Sequence, residues 1–235
     1  LLNRNLENKR IVVIGNNRYE WCITYLAVTS GNMIIVPMDK ALPENEIINL
    51  VIRSEAEVAI FDKKYLETMK ELKKDDNANL RMLICMDNIE DEDADKFEDL
   101  LQKGNELLKN GDNKYENIEV DPEKMSIMLF TSGTTNSPKA VMLSQKNICS
   151  NLSDISCWVK LYDTDTLLSF LPIHHTFECT ITFLYGFYSG CTIAFCDGLK
   201  YIQKNLAEYK VSVFVAVPLV LETMYKKIQK ATLLG

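Results

Sequence analysis

A chain of 235 residues that is 47% hydrophobic and 25% charged has the composition of a folded protein, with length for one large domain or two small ones. Its net charge of -7 and pI near 5.0 argue against a basic track for a nucleic-acid backbone, so nucleic acid is not an expected partner; a local cationic pocket for a small anion is still compatible. No run reaches the ~18 apolar residues of a membrane-spanning helix. The best candidate, VSVFVAVPLVL, contains a proline and reads as a buried strand.

In chain order, LLNRNLENKR has neither an initiator methionine nor a signal-peptide pattern, which reads as a piece of a longer protein. IVVIG (Ile11 to Gly15) precedes a helical pattern from Tyr19 to Ser30, with Trp21 and Tyr25 expected in the core and Gly31 as the stop. MIIVP follows, and Pro43 opens the helix ENEIINLVIR. EVAIF (Glu57 to Phe61) precedes KKYLETMKELKK, and RMLICM precedes the acidic stretch DNIEDEDADKFEDL, with a further helical pattern near Lys96 to Lys109. Continuous apolar strands imply burial on both faces, so the expected fold class is α/β: layered, mostly parallel sheets covered by helices. The charged, Asn-rich region from Asp87 to Asp121 reads equally well as a seam between two lobes, 1–120 and 121–235, or as a solvated surface insertion.

Beyond it come KMSIMLF, a loop, a helix from Ser144 to Val159, the strand TLLSFLP, a helix through Phe183, the strand CTIAFC, a helix near Tyr201, VSVFVAV and a last helix. Phe177, Leu184, Phe187 and Tyr188 have the helical spacing of a core stripe and are assigned no site role. The seven cysteines are odd in number, scattered and free of any C-x-x-C pair, and most lie in apolar runs; buried thiols in a reducing cytoplasm are expected.

The loop after KMSIMLF is chemically distinctive. Thr131, Ser132, Gly133, Thr134 and Thr135 place hydroxyls and unencumbered backbone N–H groups at a strand end, where α/β sheets tend to hold ligands, and Lys139 adds a point charge suited to phosphate oxygens. Neither the Walker pattern nor G-x-G-x-x-G is present. Composition alone fits a Ser/Thr-rich surface loop equally well.

TSGTTNSPKAVMLS, however, resembles the phosphate loop of the adenylate-forming superfamily, which includes acyl-CoA synthetases, firefly luciferase and peptide-synthetase adenylation domains. NNRYEWCITYLAVTSGNMIIVPMDKALPENEI, LPIHHTFE and VAVPLVLETM resemble further motifs of that family in order and spacing, and the HHTFE form is most similar to long-chain fatty acyl-CoA ligases. The resemblance covers nearly the whole chain but only the front half of such an enzyme. Asn136 and Ala140 replace two family glycines, and Leu219 stands where an arginine often follows the proline. Asn enters the left-handed region more readily than most residues, and Ala140 is acceptable where φ is negative.

His174 and His175 are the chain's two histidines. Adjacent side chains in an extended segment point apart and no Cys or carboxylate cluster surrounds them, so a zinc pair is not expected. The family histidine matches His175, which by resemblance lies near the substrate carboxylate and α-phosphate; His174 reads as a packing or rim residue.

The resemblance implies ATP-dependent activation of a carboxylic acid, a fatty acid above all, followed by transfer to coenzyme A. Thr131, Ser132, Gly133, Thr134, Thr135 and Lys139 would hold the β- and γ-phosphates, Thr131 would also ligate Mg2+, and Lys139 and His175 would be the catalytic residues. A complete enzyme also carries an aromatic-Gly-x-Thr-Glu motif, a ribose-binding aspartate and a C-terminal lobe, none of which precedes Gly235, so this polypeptide alone is expected not to adenylate efficiently. Alternatives are a non-catalytic nucleotide- or acyl-binding module, or an adenylation domain serving a peptide synthetase or acyl carrier protein. A fatty substrate leaves room for peripheral membrane contact, although no basic amphipathic helix or lipidation motif accompanies it.

Overall fold

The computed structural model describes residues 1–131 and 138–233. The apolar runs read from the sequence become the strands of one sheet: β1 (Arg10–Ile14), β2 (Ile34–Pro37), β3 (Val58–Phe61), β4 (Met82–Cys85), β5 (Asp95–Lys96), β6 (Met125–Thr131) and β7 (Lys139–Ser144). Their order is β5-β4-β3-β1-β2-β6-β7, parallel throughout except for the antiparallel β6–β7 pair. The α/β class and the mostly parallel sheet are therefore observed.

Helices α1 (Tyr19–Ser30), α2 (Glu44–Ser54) and α3 (Leu66–Lys74) make the crossovers that parallel strands require. α2 follows Pro43, carries Glu44 and Glu46 in its first turn and Arg53 in its last, and so complements its own dipole at both ends. Ile47, Leu50 and Val51 of α2 and Met69 and Leu72 of α3 pack on Val12, Ile14, Val36, Ala59, Phe61 and Leu83 of the sheet. Burying each such side chain is worth about 1.5–3 kcal/mol. Trp21 and Tyr25 stack on each other at 5.6 Å and are buried, as expected of core residues.

The acidic stretch after β4 supplies β5, which extends the sheet at its edge, and α4 (Phe97–Lys109), whose Leu107 and Leu108 are exposed. It is built into the first unit. The chain divides into compact units Leu1–Ser153 and Asp154–Gly235, so the seam lies later than residue 120 because β6 pairs with β2 through Ile35 and Ile127. It falls within α5 (Gln145–Trp158).

In the second unit β8 (Thr166–Ser169) and β9 (Thr192–Phe195) pair in parallel. A π-helix (Glu178–Tyr185) and a short α6 (Gly186–Tyr188) connect them, and α7 (Ile202–Glu208) and α8 (Pro218–Leu233) follow. VSVFVAV does not form the expected buried strand. It makes one parallel bridge, Leu167 to Val213, because the Ser212 and Val213 amides both turn to the Thr166 carbonyl and the ladder goes no further.

The core stripe read at helical spacing also fails in part. Leu184 is buried, but Phe177, Phe187 and Tyr188 are exposed. Within the π-helix the buried residues are Glu178, Cys179 and Thr182 to Tyr185, whereas Phe177 precedes it and Phe187 and Tyr188 lie beyond it in α6. Of the cysteines, Cys22, Cys85 and Cys179 are buried while Cys149 and Cys157 are exposed, a less buried set than their apolar neighbours suggest. Among the described residues no helix is long and apolar enough to cross a membrane.

Gly15 directly follows β1, where the backbone passes close to its neighbours: a Cβ there would lie 2.7 Å from Asp62 Oδ1 and 2.6 Å from Met86 Cε. Gly15→Ala should cost about 1–3 kcal/mol in urea unfolding, as overpacking does. Wild-type stability would mean that Asp62 yields freely.

Candidate functional site

The chain starts at β1, steps to β2 on one side and then continues through β3 and β4 on the other. In such sheets ligands favour the crevice beyond the carboxyl ends of the strands where the direction reverses, here between β1 and β3. That crevice is filled by the protein's own groups. Asp62, directly after β3, is buried, and its Oδ2 accepts the Asn16 backbone N–H at 2.8 Å and the Asn16 side-chain amide at 2.7 Å. Arg18 lies 3.2 Å from Asp62 Oδ1 and 2.6 Å from Asp87, and it donates to both oxygens of Glu20 at 2.7 and 3.0 Å. The Glu20 bond is the largest influence holding the guanidinium above its ordinary pKa, and Arg18 in turn holds Glu20 below the usual carboxylate value. The stretch NNRYEW therefore has a structural explanation: its charges satisfy one another.

The segment expected to bind phosphate begins further along, at the carboxyl end of β6. KAVMLS, which the sequence reading places in the loop between KMSIMLF and the helix from Ser144, is the return strand β7, so the Ser/Thr-rich segment joins the two arms of an antiparallel hairpin. Thr131 and Lys139 are directly paired across it, which puts their side chains on one face. Both are exposed. The Thr131 hydroxyl reaches the Lys139 carbonyl only at 3.5 Å, so it is loosely held by the protein. Ala140 pairs with Phe130 in extended conformation, which a Cβ tolerates. Ser132, Gly133, Thr134 and Thr135, with Asn136, lie outside the described residues.

A residue that no motif singled out braces the hairpin stem. Arg53, in the last turn of α2, donates to the Pro138 carbonyl at 2.8 Å, and its guanidinium sits 5.8 Å from the centre of the Phe130 ring. It thus touches the residue before Thr131 on one arm and the residue before Lys139 on the other. Such a cation–π contact contributes about 0.5–1 kcal/mol at an exposed site.

In the second unit His175 is exposed on the turn between β8 and the π-helix. Its amide donates to Pro172 and its carbonyl accepts from Cys179, both at 3.0 Å, while its ring Nδ1 accepts the Phe177 N–H at 3.3 Å. A ring nitrogen that accepts is unprotonated, so in the neutral imidazole the proton sits on Nε2. His174 is half-buried. Three residues beyond His175, Glu178 is 1% exposed and bonded to Ser169 Oγ at 2.7 Å and Thr182 Oγ1 at 3.0 Å. Burial raises its carboxyl to about 7, against the opposing effect of those hydroxyl bonds. Sequence reasoning passed over Glu178, though a signal existed: it is the one charged residue between Thr176 and Gly190.

Thus the structure brings Thr131 and Lys139 together in the first unit; within the second unit, His175 has one ring nitrogen already engaged. Among the described residues no group of three or more His, Cys, Asp or Glu could hold a metal ion. Comparison with known proteins adds a relationship over the whole length. A family model described as "AMP-binding enzyme" matches residues 1–233. The chain is 30% identical to the rat (Rattus norvegicus) long-chain-fatty-acid–CoA ligase 5, over 95% of this chain and 34% of that protein. It is 28% identical to fatty acyl-CoA synthetase B of Dictyostelium discoideum, over 94% of this chain and 34% of that protein. The fold is similar to that of a long-chain-fatty-acid-CoA ligase from Archaeoglobus fulgidus, with a TM-score of 0.80 at 20% identity, covering 97% of this chain and 44% of that one. The chain spans about a third of the length of these curated relatives.

Proposed function

The chain belongs to the AMP-binding enzyme family, and on that premise we propose that the full-length protein activates a long-chain fatty acid with ATP and passes the acyl group to coenzyme A. In the first step a carboxylate oxygen attacks the α-phosphorus, forming the acyl–phosphate bond as the bond to pyrophosphate breaks. In the second the thiol sulfur attacks the acyl carbon, releasing AMP. The observation that carries this reading is the Thr131–Lys139 pair: a hydroxyl and an ammonium on one face of an exposed hairpin stem, flanking the segment that resembles a phosphate loop.

Phosphoryl chemistry of this kind asks the protein for positioning and charge neutralisation more than for covalent help. Lys139 supplies the charge opposite the leaving pyrophosphate, and Ser132, Gly133, Thr134 and Thr135 would supply hydroxyl and amide donors. The weakly engaged Thr131 hydroxyl suits a hard cation that takes most of its ligands from phosphate and water, so Thr131 is the residue that would hold Mg2+. When bound, that ion would neutralise phosphate charge. His175, with Nδ1 occupied by the Phe177 amide, has Nε2–H left to donate to the substrate carboxylate or α-phosphate oxygens.

His175→Ala should slow acyl-adenylate formation about tenfold, the worth of one hydrogen bond to a charged group. Rates equal to wild type would return His175 to a structural role. The function as a whole is tested by assaying AMP release from the full-length protein across a panel of carboxylic acids with ATP, magnesium and coenzyme A. Long-chain fatty acids should support it best. Release with short or aromatic acids alone would overturn the substrate class, and none with any acid would overturn the activity.

A further inference from the structure

Ser169 ends β8 and Glu178 begins the π-helix; the residues between them form the loop that carries His175. Two hydrogen bonds close its neck. Ser169 Oγ is 2.7 Å from Glu178 Oε1, and the Phe170 N–H donates to the same carboxyl. From the helix side Thr182 Oγ1 meets Oε2 at 3.0 Å. Ser169, Glu178 and Thr182 are each at most 1% exposed. An acid buried against two hydroxyls and one amide is costly to place, so simple packing does not account for it.

What the clasp controls lies within the loop. The ring of His175 is oriented by the Phe177 N–H, and Phe177 immediately precedes Glu178. Cys179, immediately after Glu178, donates its own N–H to the His175 carbonyl at 3.0 Å. Of the three backbone groups that hold His175, the two on its C-terminal side, the Phe177 and Cys179 amides, thus flank the residue whose side chain is anchored to β8.

We propose that Glu178 is a positioning residue: its buried carboxyl clasps the loop neck and so keeps His175 in the tautomer that accepts at Nδ1 and donates at Nε2. The catalytic meaning of this rests on the role given to His175 above, but the positioning itself does not. It is therefore tested on the ring rather than on activity. The 235-residue chain, labelled with 15N-histidine, has two imidazoles, and a His174→Gln variant assigns them. In the wild type the His175 signals should report one tautomer, with the proton on Nε2. Glu178→Ala should mix the tautomers at His175 and leave His174 unmoved, while Glu178→Gln, which keeps both hydrogen-bonding atoms, should restore the wild-type pattern. Should Glu178→Ala fail to fold, Ser169→Ala removes one neck bond and should shift His175 in the same sense. A folded Glu178→Ala or Ser169→Ala protein with an unchanged His175 tautomer overturns the proposal, as does a Glu178→Gln protein no closer to wild type than Glu178→Ala. A fatty-acid assay that failed while these shifts appeared would instead count against the proposed activity alone.

Discussion

Replacing Lys139 with alanine in the full-length protein is expected to lower fatty-acid-dependent ATP–pyrophosphate exchange by about 10²–10³-fold, the usual cost of losing one preorganised group that meets developing charge. Stability should hardly change. The side chain is exposed on the edge strand β7, so truncation opens no cavity, and substitutions at such positions stay within about 0.5 kcal/mol in urea unfolding. Lys139→Arg should recover part of the exchange by keeping the charge, though not its compact shape. Unchanged exchange in the alanine variant would remove Lys139 from the chemistry, and lost exchange with lost folding would show that it supports the hairpin instead.

The second large effect concerns pH and belongs to Glu178. Its carboxyl titrates at about 7 in the folded chain because of burial, against an ordinary 4.5. Between those values the native state keeps a proton that the unfolded chain has released, so stability falls as pH rises through the window and levels off above it. At 1.36 kcal/mol per pH unit the loss attributable to this one group is about 3 kcal/mol. Glu178→Gln has no proton to lose. The difference in unfolding free energy between variant and wild type should therefore climb in the variant's favour from pH 4.5 to above pH 7. A difference that stays flat with pH would mean the carboxylate is already ionised and well satisfied by Ser169, Thr182 and the Phe170 amide.

Much of the first sheet was legible because β1, β3 and β4 are buried on both faces and so carry unbroken apolar runs, and because Gly31 and Pro43 mark helix boundaries directly. β7 was not, since an exposed edge strand needs no such run; only its pairing with β6 reveals it. VSVFVAV erred in the opposite direction: its composition is that of a strand, but forming one depends on a neighbour's hydrogen bonds, which sequence does not display. Helical spacing after Phe177 marks a stripe but not what covers it, so the exposure of Phe187 and Tyr188 in α6 was unreadable from the sequence. At the site, Thr131, Lys139 and His175 came from resemblance supported by chemistry. Arg53 and Glu178 came from neither, because each acts on a segment distant in sequence or across a loop.

The network of Asp62, Asn16, Arg18 and Asp87 has one more implication. A sheet of this topology would ordinarily seat a nucleotide's sugar or base in its central cleft, but internal ion pairs occupy that position. Under the proposed function, contact between ATP and the described residues of the first unit would come at the exposed Thr131–Lys139 edge, by the polyphosphate, where screening by salt is strong. Affinity contributed by this edge should therefore fall steeply with ionic strength.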